Sequence, residues 1–133
     1  MTRVLGRYSE YVYAIVRIII GFLFVLHGTQ KLFGFPLLAP GPIGALGTTA
    51  AIIELVAGLL VMFGFFAGVA AFIASGEMAV AYFIAHFKSE APLPIQNGGE
   101  LAVLYCFIFL YIASRGSGVW SIDSLRAAPA AKL

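Results

Sequence analysis

The sequence predicts an all-α, polytopic membrane protein built as a bundle of four transmembrane helices. Of its 133 residues, 62% are hydrophobic and only 11% charged, whereas soluble domains carry about 25% charged residues. The mean hydropathy is +1.01. Apolar runs near the ~20 residues that cross a bilayer recur along the chain, separated by stretches rich in proline and glycine. Lipid is therefore the main solvent. Four spans with short connections consume nearly the whole chain as one membrane domain, residues 1–133.

The first run covers about 11–33 and follows Arg3 and Arg7. It is too long for the apolar region of a signal peptide, and no small-residue cleavage site follows, so it reads as an uncleaved anchor. Pro36, Pro40 and Pro42, with neighbouring glycines, break the helix and make a loop of 34–44. The second span runs over about 45–65. A tight turn at Gly64 to Gly68 leads to the third, about 68–87. Pro92 and Pro94 mark a second long loop from Lys88 to Gly98. A shorter fourth span, about 99–114, ends at Arg115 and the pair Gly116 and Gly118.

Arg3 and Arg7 precede the first span, and Arg115, Arg126 and Lys132 follow the last. Because short cytoplasmic segments are enriched in Lys and Arg, both termini are expected in the cytoplasm and the chain in the cell inner membrane as a multi-pass protein. The net charge of +2 is too small, and too confined to the ends, for a nucleic-acid partner. Cys106 stands alone in an apolar run, which excludes an intrachain disulfide, a CxxC redox pair and a cysteine zinc site.

Arg17, Lys31, Glu54, Glu77 and Glu100 fall within the predicted spans. A charge at the bilayer centre costs at least ~2.5 kcal/mol on an isolated helix, so these groups are expected to face one another. Arg17, Gly21, Phe24, His27, Gly28 and Lys31 share one face of the first helix. Depth along each helix suggests two tiers. The inner tier is an Arg17–Glu77 ion pair; the outer is a cluster of His27, Gln30, Lys31, Glu54 and Glu100, with Asn97 nearby. Asn97, Glu100, Leu104 and Tyr111 share a face of the fourth span, so Tyr111 extends a polar lining inward. These charges either set helix register alone or line a cavity or proton path. His27 and His86 as haem ligands, or His27, Glu54 and Glu100 as a metal site, lack supporting spacing, and no metal is expected.

Small residues at Ala71, Ser75 and Ala79, and at Gly21 and Gly28, permit the close backbone approach on which helix association in lipid depends. The first and third spans each end in His then Lys (His27 and Lys31, His86 and Lys88), and each returning helix carries an early Glu (Glu54, Glu100). That echo fits a duplicated hairpin.

Several segments in order resemble the DoxX family of small bacterial and archaeal membrane proteins. They are Arg17 with Gly21, Gly28 with Lys31-Leu32, Ile53-Glu54 with Gly58, Met78-Ala79 with Ala81, Asn97-Gly98-Gly99-Glu100 leading to Tyr105, and Gly116-x-Gly118-x-Trp120-Ser121-Ile122-Asp123. The resemblance covers about 14–125. It implies a four-helix membrane protein, some relatives of which are described as subunits of quinone-linked oxidoreductases, including thiosulfate:quinone oxidoreductase, or as partners of redox-stress enzymes. The family's charged positions fall here on Arg17, Lys31, Glu54 and Glu100.

The expected function is a small membrane subunit associated with quinone-linked redox chemistry, at most one subunit of an oxidoreductase complex. Glu54, Glu100, Lys31 and His27 are the candidate catalytic or proton-relaying groups; Arg17, Glu77, Asn97 and Tyr111 are candidate cofactor contacts. No covalent cofactor is expected, quinone being the candidate ligand. Besides lipid, the expected partner is another protein or a second copy of the chain. The alternatives are a non-enzymatic anchor that holds a soluble redox enzyme through its basic tail and the 120–123 segment, and a transporter of a small solute or protons.

Overall fold

A computed structural model describes residues 3–38 and 41–127. Pro40 and Lys132, which entered the loop and orientation arguments, lie outside them. A single 3-10 turn, Gly6–Tyr8, leads into α1 (Ser9–Phe33). Then follow α2 (Gly44–Phe63), α3 (Ala67–Ala81), a π-helical turn Tyr82–His86, the one-turn α4 (Pro94–Asn97), α5 (Glu100–Arg115) and the short α6 (Ile122–Ala127). Among the described residues the sole β-type pairing is a bridge between Lys88 and Ala91. The fold is an all-helical bundle of four long helices. Three of these segments are long and apolar enough to cross a membrane; α5, with 16 residues, rises about 24 Å.

Glycine stops the first two helices. Gly34 and Gly64 both take left-handed conformations (φ 67°), and their N–H groups bond back to carbonyls of the last turn, the usual glycine C-cap. The connection into α3 is tighter, and Phe66 itself is left-handed (φ 48°). A non-glycine residue is held there only when neighbouring contacts compensate.

Helix α1 packs chiefly on α2, α2 on α3, and α3 on α5. The α1–α2 contact is nearly backbone to backbone. A Cβ placed on Gly21 would lie 2.6 Å from the Met62 nitrogen, and one on Gly28 would lie 2.6 Å from that of Leu55. From the other side, a Cβ on Gly58 would stand 2.9 Å from the Val25 nitrogen. On α3, Ala67, Ala70, Ala71, Ala74 and Ser75 are buried. The Ser75 hydroxyl donates to the Cys106 carbonyl of α5 at 2.8 Å. At the centre Phe24 meets Phe109 at 4.6 Å and Tyr105 at 5.3 Å between ring centroids. Phe72, Phe83 and Phe107 instead face outward, toward lipid.

Arg115, at the end of α5, pairs with Glu10 at the start of α1 at 2.6 Å, so both ends of the described chain lie at one end of the bundle. This is the terminal end; the loops 34–43 and 88–99 lie at the opposite, loop end.

Candidate functional site

Arg17 is completely buried and its partners are backbone carbonyls. Nη1 donates to the Val61 and Met62 oxygens at 2.7 and 2.9 Å, and Nη2 to those of Trp120 and Val119 at 2.7 and 3.3 Å. The expected ion pair with Glu77 is not formed. Side chains on a helix lean toward its N-terminus, so the long arm of Arg17 reaches down to the terminal end. There it meets the last turn of α2, the negative end of the helix dipole, where the Val61 carbonyl has the Gly64 N–H at 3.2 Å as a backbone donor and both it and the Met62 carbonyl have lone pairs to offer. Close approach of the Gly116 to Ser121 loop completes the set. Trp120 is left-handed (φ 52°), with its carbonyl turned to the guanidinium.

The same loop closes the start of α3. Asp123 accepts from the Phe66 N–H at 2.8 Å and from the Ser117 hydroxyl at 2.6 Å, while the Asp123 N–H donates to the Gly64 oxygen at 3.0 Å. A carboxylate at a helix N-terminus is favoured by its free N–H groups and by the dipole. Ser121 and Asp123, which sequence reasoning assigned to holding a partner in the anchor reading, thus bond within the chain. Trp120 remains more than half exposed and lies against Tyr11.

The second buried charge is Glu54, 2% exposed. Its Oε1 accepts from Lys31 Nζ at 2.5 Å, and its Oε2 is buried with no hydrogen-bond partner among the described residues. Helix α1 runs toward the loop end and α2 returns, so Lys31 leans down and Glu54 leans up, and they meet. Beside the pair a groove of about 430 Å³ opens between α2 and α3. Lys31 and Glu77 supply its charged lining; the rest, including Ile53, Ile73, Val80 and Ile84, is almost wholly apolar. Glu77 also keeps a buried carboxylate oxygen without a partner and lies within electrostatic reach of Glu54 and Lys31.

The other predicted site residues lie elsewhere. His27 is half-buried and packs edge-on against Tyr105, in a separate pocket between α1 and α5 that Gln30 also lines. Glu100 is exposed and forms no ion pair among the described residues, so it does not join the Lys31–Glu54 pair. Asn97 fastens the loop end: its Nδ2 donates to the Tyr82 hydroxyl and the Ala91 carbonyl, and its Oδ1 accepts from the Gly99 N–H. His86 Nδ1 lies 3.4 Å from the Asn97 carbonyl. Tyr111 sits at the terminal end, its hydroxyl 3.2 Å from Arg115 Nη1. The face of α5 carrying Glu100, Leu104 and Tyr111 looks out of the bundle, since the buried stripe is Ala102, Tyr105, Phe109 and Ile112. It forms no internal polar lining.

Glu77 thus moves from the inner tier to the Lys31–Glu54 groove. Glu54 lies about 14 Å from the terminal end along α2 and Glu77 about 15 Å along α3, so the two carboxylates share a level near mid-membrane.

A four-helix, multi-pass membrane protein with a buried glutamate paired to a half-buried lysine beside a lateral groove is the class that fold and site define. Residues 12–87 match the DoxX family model, and the chain belongs to the DoxX family. A Haemophilus influenzae protein described as an uncharacterized protein is 43% identical over 126 residues, covering 90% of this chain and 94% of that protein. No solved structure matches the chain.

Proposed function

We propose that the protein is a small cytoplasmic-membrane subunit of quinone-linked redox chemistry, with both termini in the cytoplasm, in which the Lys31, Glu54 and Glu77 groove receives a quinone head or handles its protons. The observation that carries this reading is the Lys31–Glu54 pair, in which Glu54 is buried and Lys31 half-buried, beside an apolar groove into which Glu77 brings a second carboxylate. Apolar walls suit a lipid-soluble ring and tail, and the charged floor suits its oxygens.

Quinone reduction consumes protons as well as electrons. Lys31 orients Glu54, and the free carboxylate oxygens of Glu54 and Glu77 are positioned to hold or pass a proton. The electrons come from a partner protein, since the chain carries neither a cysteine cluster nor a nucleotide-binding fingerprint.

Purification in mild detergent followed by lipid extraction tests the reading. Quinone at near one per chain in wild type, depleted in a Lys31→Met, Glu54→Gln double variant that still folds, supports it. Wild-type protein free of quinone that co-purifies with a soluble enzyme favours an anchor instead. Uptake into proteoliposomes favours transport.

A further inference from the structure

Three ionisable groups meet at the groove: one cation, Lys31, and two carboxylates, Glu54 and Glu77. Tyr105 of α5 is also within electrostatic reach of Glu54, and His27 lies against Tyr105. Arg17 cannot supply a second positive charge, because its guanidinium is turned to the terminal end and bonded to four carbonyls. A surplus charge at the level of Glu54 and Glu77 is costly, and two carboxylates near one cation do not both ionise freely. Neutrality needs one proton. Glu54 has the direct ion pair, so the proton falls to Glu77.

We propose that the α2–α3 groove is a one-proton site: Lys31 and Glu54 form the ion pair, and Glu77 is a neutral carboxylic acid that donates a hydrogen bond to a carbonyl oxygen of an apolar ligand. The buried Glu77 oxygen at the groove has no partner among the described residues, so the acid finds no acceptor there. The groove therefore selects a ligand that accepts hydrogen bonds over one that only donates them. The proton count stands on the charges alone; the identity of the carbonyl ligand as a quinone rests on the function proposed above.

Infrared spectroscopy of the protein in liposomes counts carboxylic acids directly. The chain has six acidic residues, and Glu10, Glu90, Glu100 and Asp123 lie exposed or at the ends of the bundle. Wild type at neutral pH is expected to show one protonated carboxyl band. Glu77→Gln removes it. Glu54→Gln removes it too, because Glu77 then ionises to partner Lys31, and Lys31→Met raises the band about twofold. A wild-type spectrum without the band, or a band that survives Glu77→Gln, overturns the proposal. Decyl-substituted benzoquinone is then added to wild type, and the acid band is expected to shift. A band that is present and responds to the variants but ignores this quinone retains the one-proton site and overturns quinone as its ligand.

Discussion

Arg17 Nη2 donates to the Trp120 carbonyl at 2.7 Å across 103 positions of chain. With the Val61 and Met62 bonds, this makes one guanidinium the fastening for the ends of α1 and α2 and for the C-terminal loop. The planar fork of its two Nη groups reaches all four carbonyls; the three donors of a lysine on a point charge do not suit this task. Arg17→Lys is therefore expected to lower stability by about 2–4 kcal/mol, and Arg17→Met by at least as much, through carbonyls left without donors. Thermal unfolding in detergent measures both. A double-mutant cycle between Arg17 and Glu77 is expected to give a coupling below ~0.5 kcal/mol, as for separated sites.

Gly21 and Gly76 differ in what surrounds them. A methyl at Gly21 meets the α2 backbone at 2.6–2.8 Å, whereas one at Gly76 meets nothing within 4 Å. Gly21→Ala is expected to push α1 from α2 and cost about 1–3 kcal/mol, while Gly76→Ala is neutral or slightly stabilising through helix propensity. Equal unfolding temperatures for the two variants would count against the close α1–α2 packing.

For Lys31 and Glu54 the expected pattern is strong coupling. Either single change, Lys31→Met or Glu54→Gln, breaks a charge-assisted hydrogen bond on a buried carboxylate, and because proton transfer at Glu54 or Glu77 relieves the charge left behind, it costs about 1–3 kcal/mol. The double change costs less than the sum. Additive losses in a double-mutant cycle would mean that the pair does not hold in the membrane. The Glu54→Gln cost is reduced to the extent that Glu77 ionises in its place.

Both ends of the described chain share one end of the bundle, and the basic residues Arg3, Arg7, Arg115 and Arg126 gather there. Reporter fusions at the two termini are expected to report the same compartment, and the cytoplasmic one. A reporter inserted within the 34–43 loop is expected on the other side; a cytoplasmic signal there would reverse the orientation.

Much of this fold is legible locally. The helix limits follow from apolar run length, from Gly34 and Gly64, and from the prolines, and the observed bounds lie within two residues of the expected ones once the π-helical turn Tyr82–His86 is counted with α3, which itself ends six residues early at Ala81. Lys31 with Glu54 was legible as opposite charges on one level of adjacent antiparallel helices. The partner of Arg17 was not, because a backbone carbonyl has no signature in the side-chain sequence. Glu77 was misplaced for a geometric reason: a residue near the middle of a span is similarly deep from either face, so depth does not choose its partner. The C-terminal loop carried a signal in Gly116, Gly118 and Trp120-Ser121-Ile122-Asp123, but its residues fasten the chain's own helices, and composition alone does not separate that use from contact with another protein.

The clasp at the terminal end also orders events during synthesis. Arg17 enters the membrane early, on the first helix, yet two of its four acceptors belong to residues 119 and 120, and the carboxylate that closes the start of α3 belongs to residue 123. Until the ribosome has released that stretch, the first helix holds a half-satisfied guanidinium and the third an open amino end. A chain interrupted after α5 would therefore contain all four long helices and still lack the contacts that fasten the first and third of them.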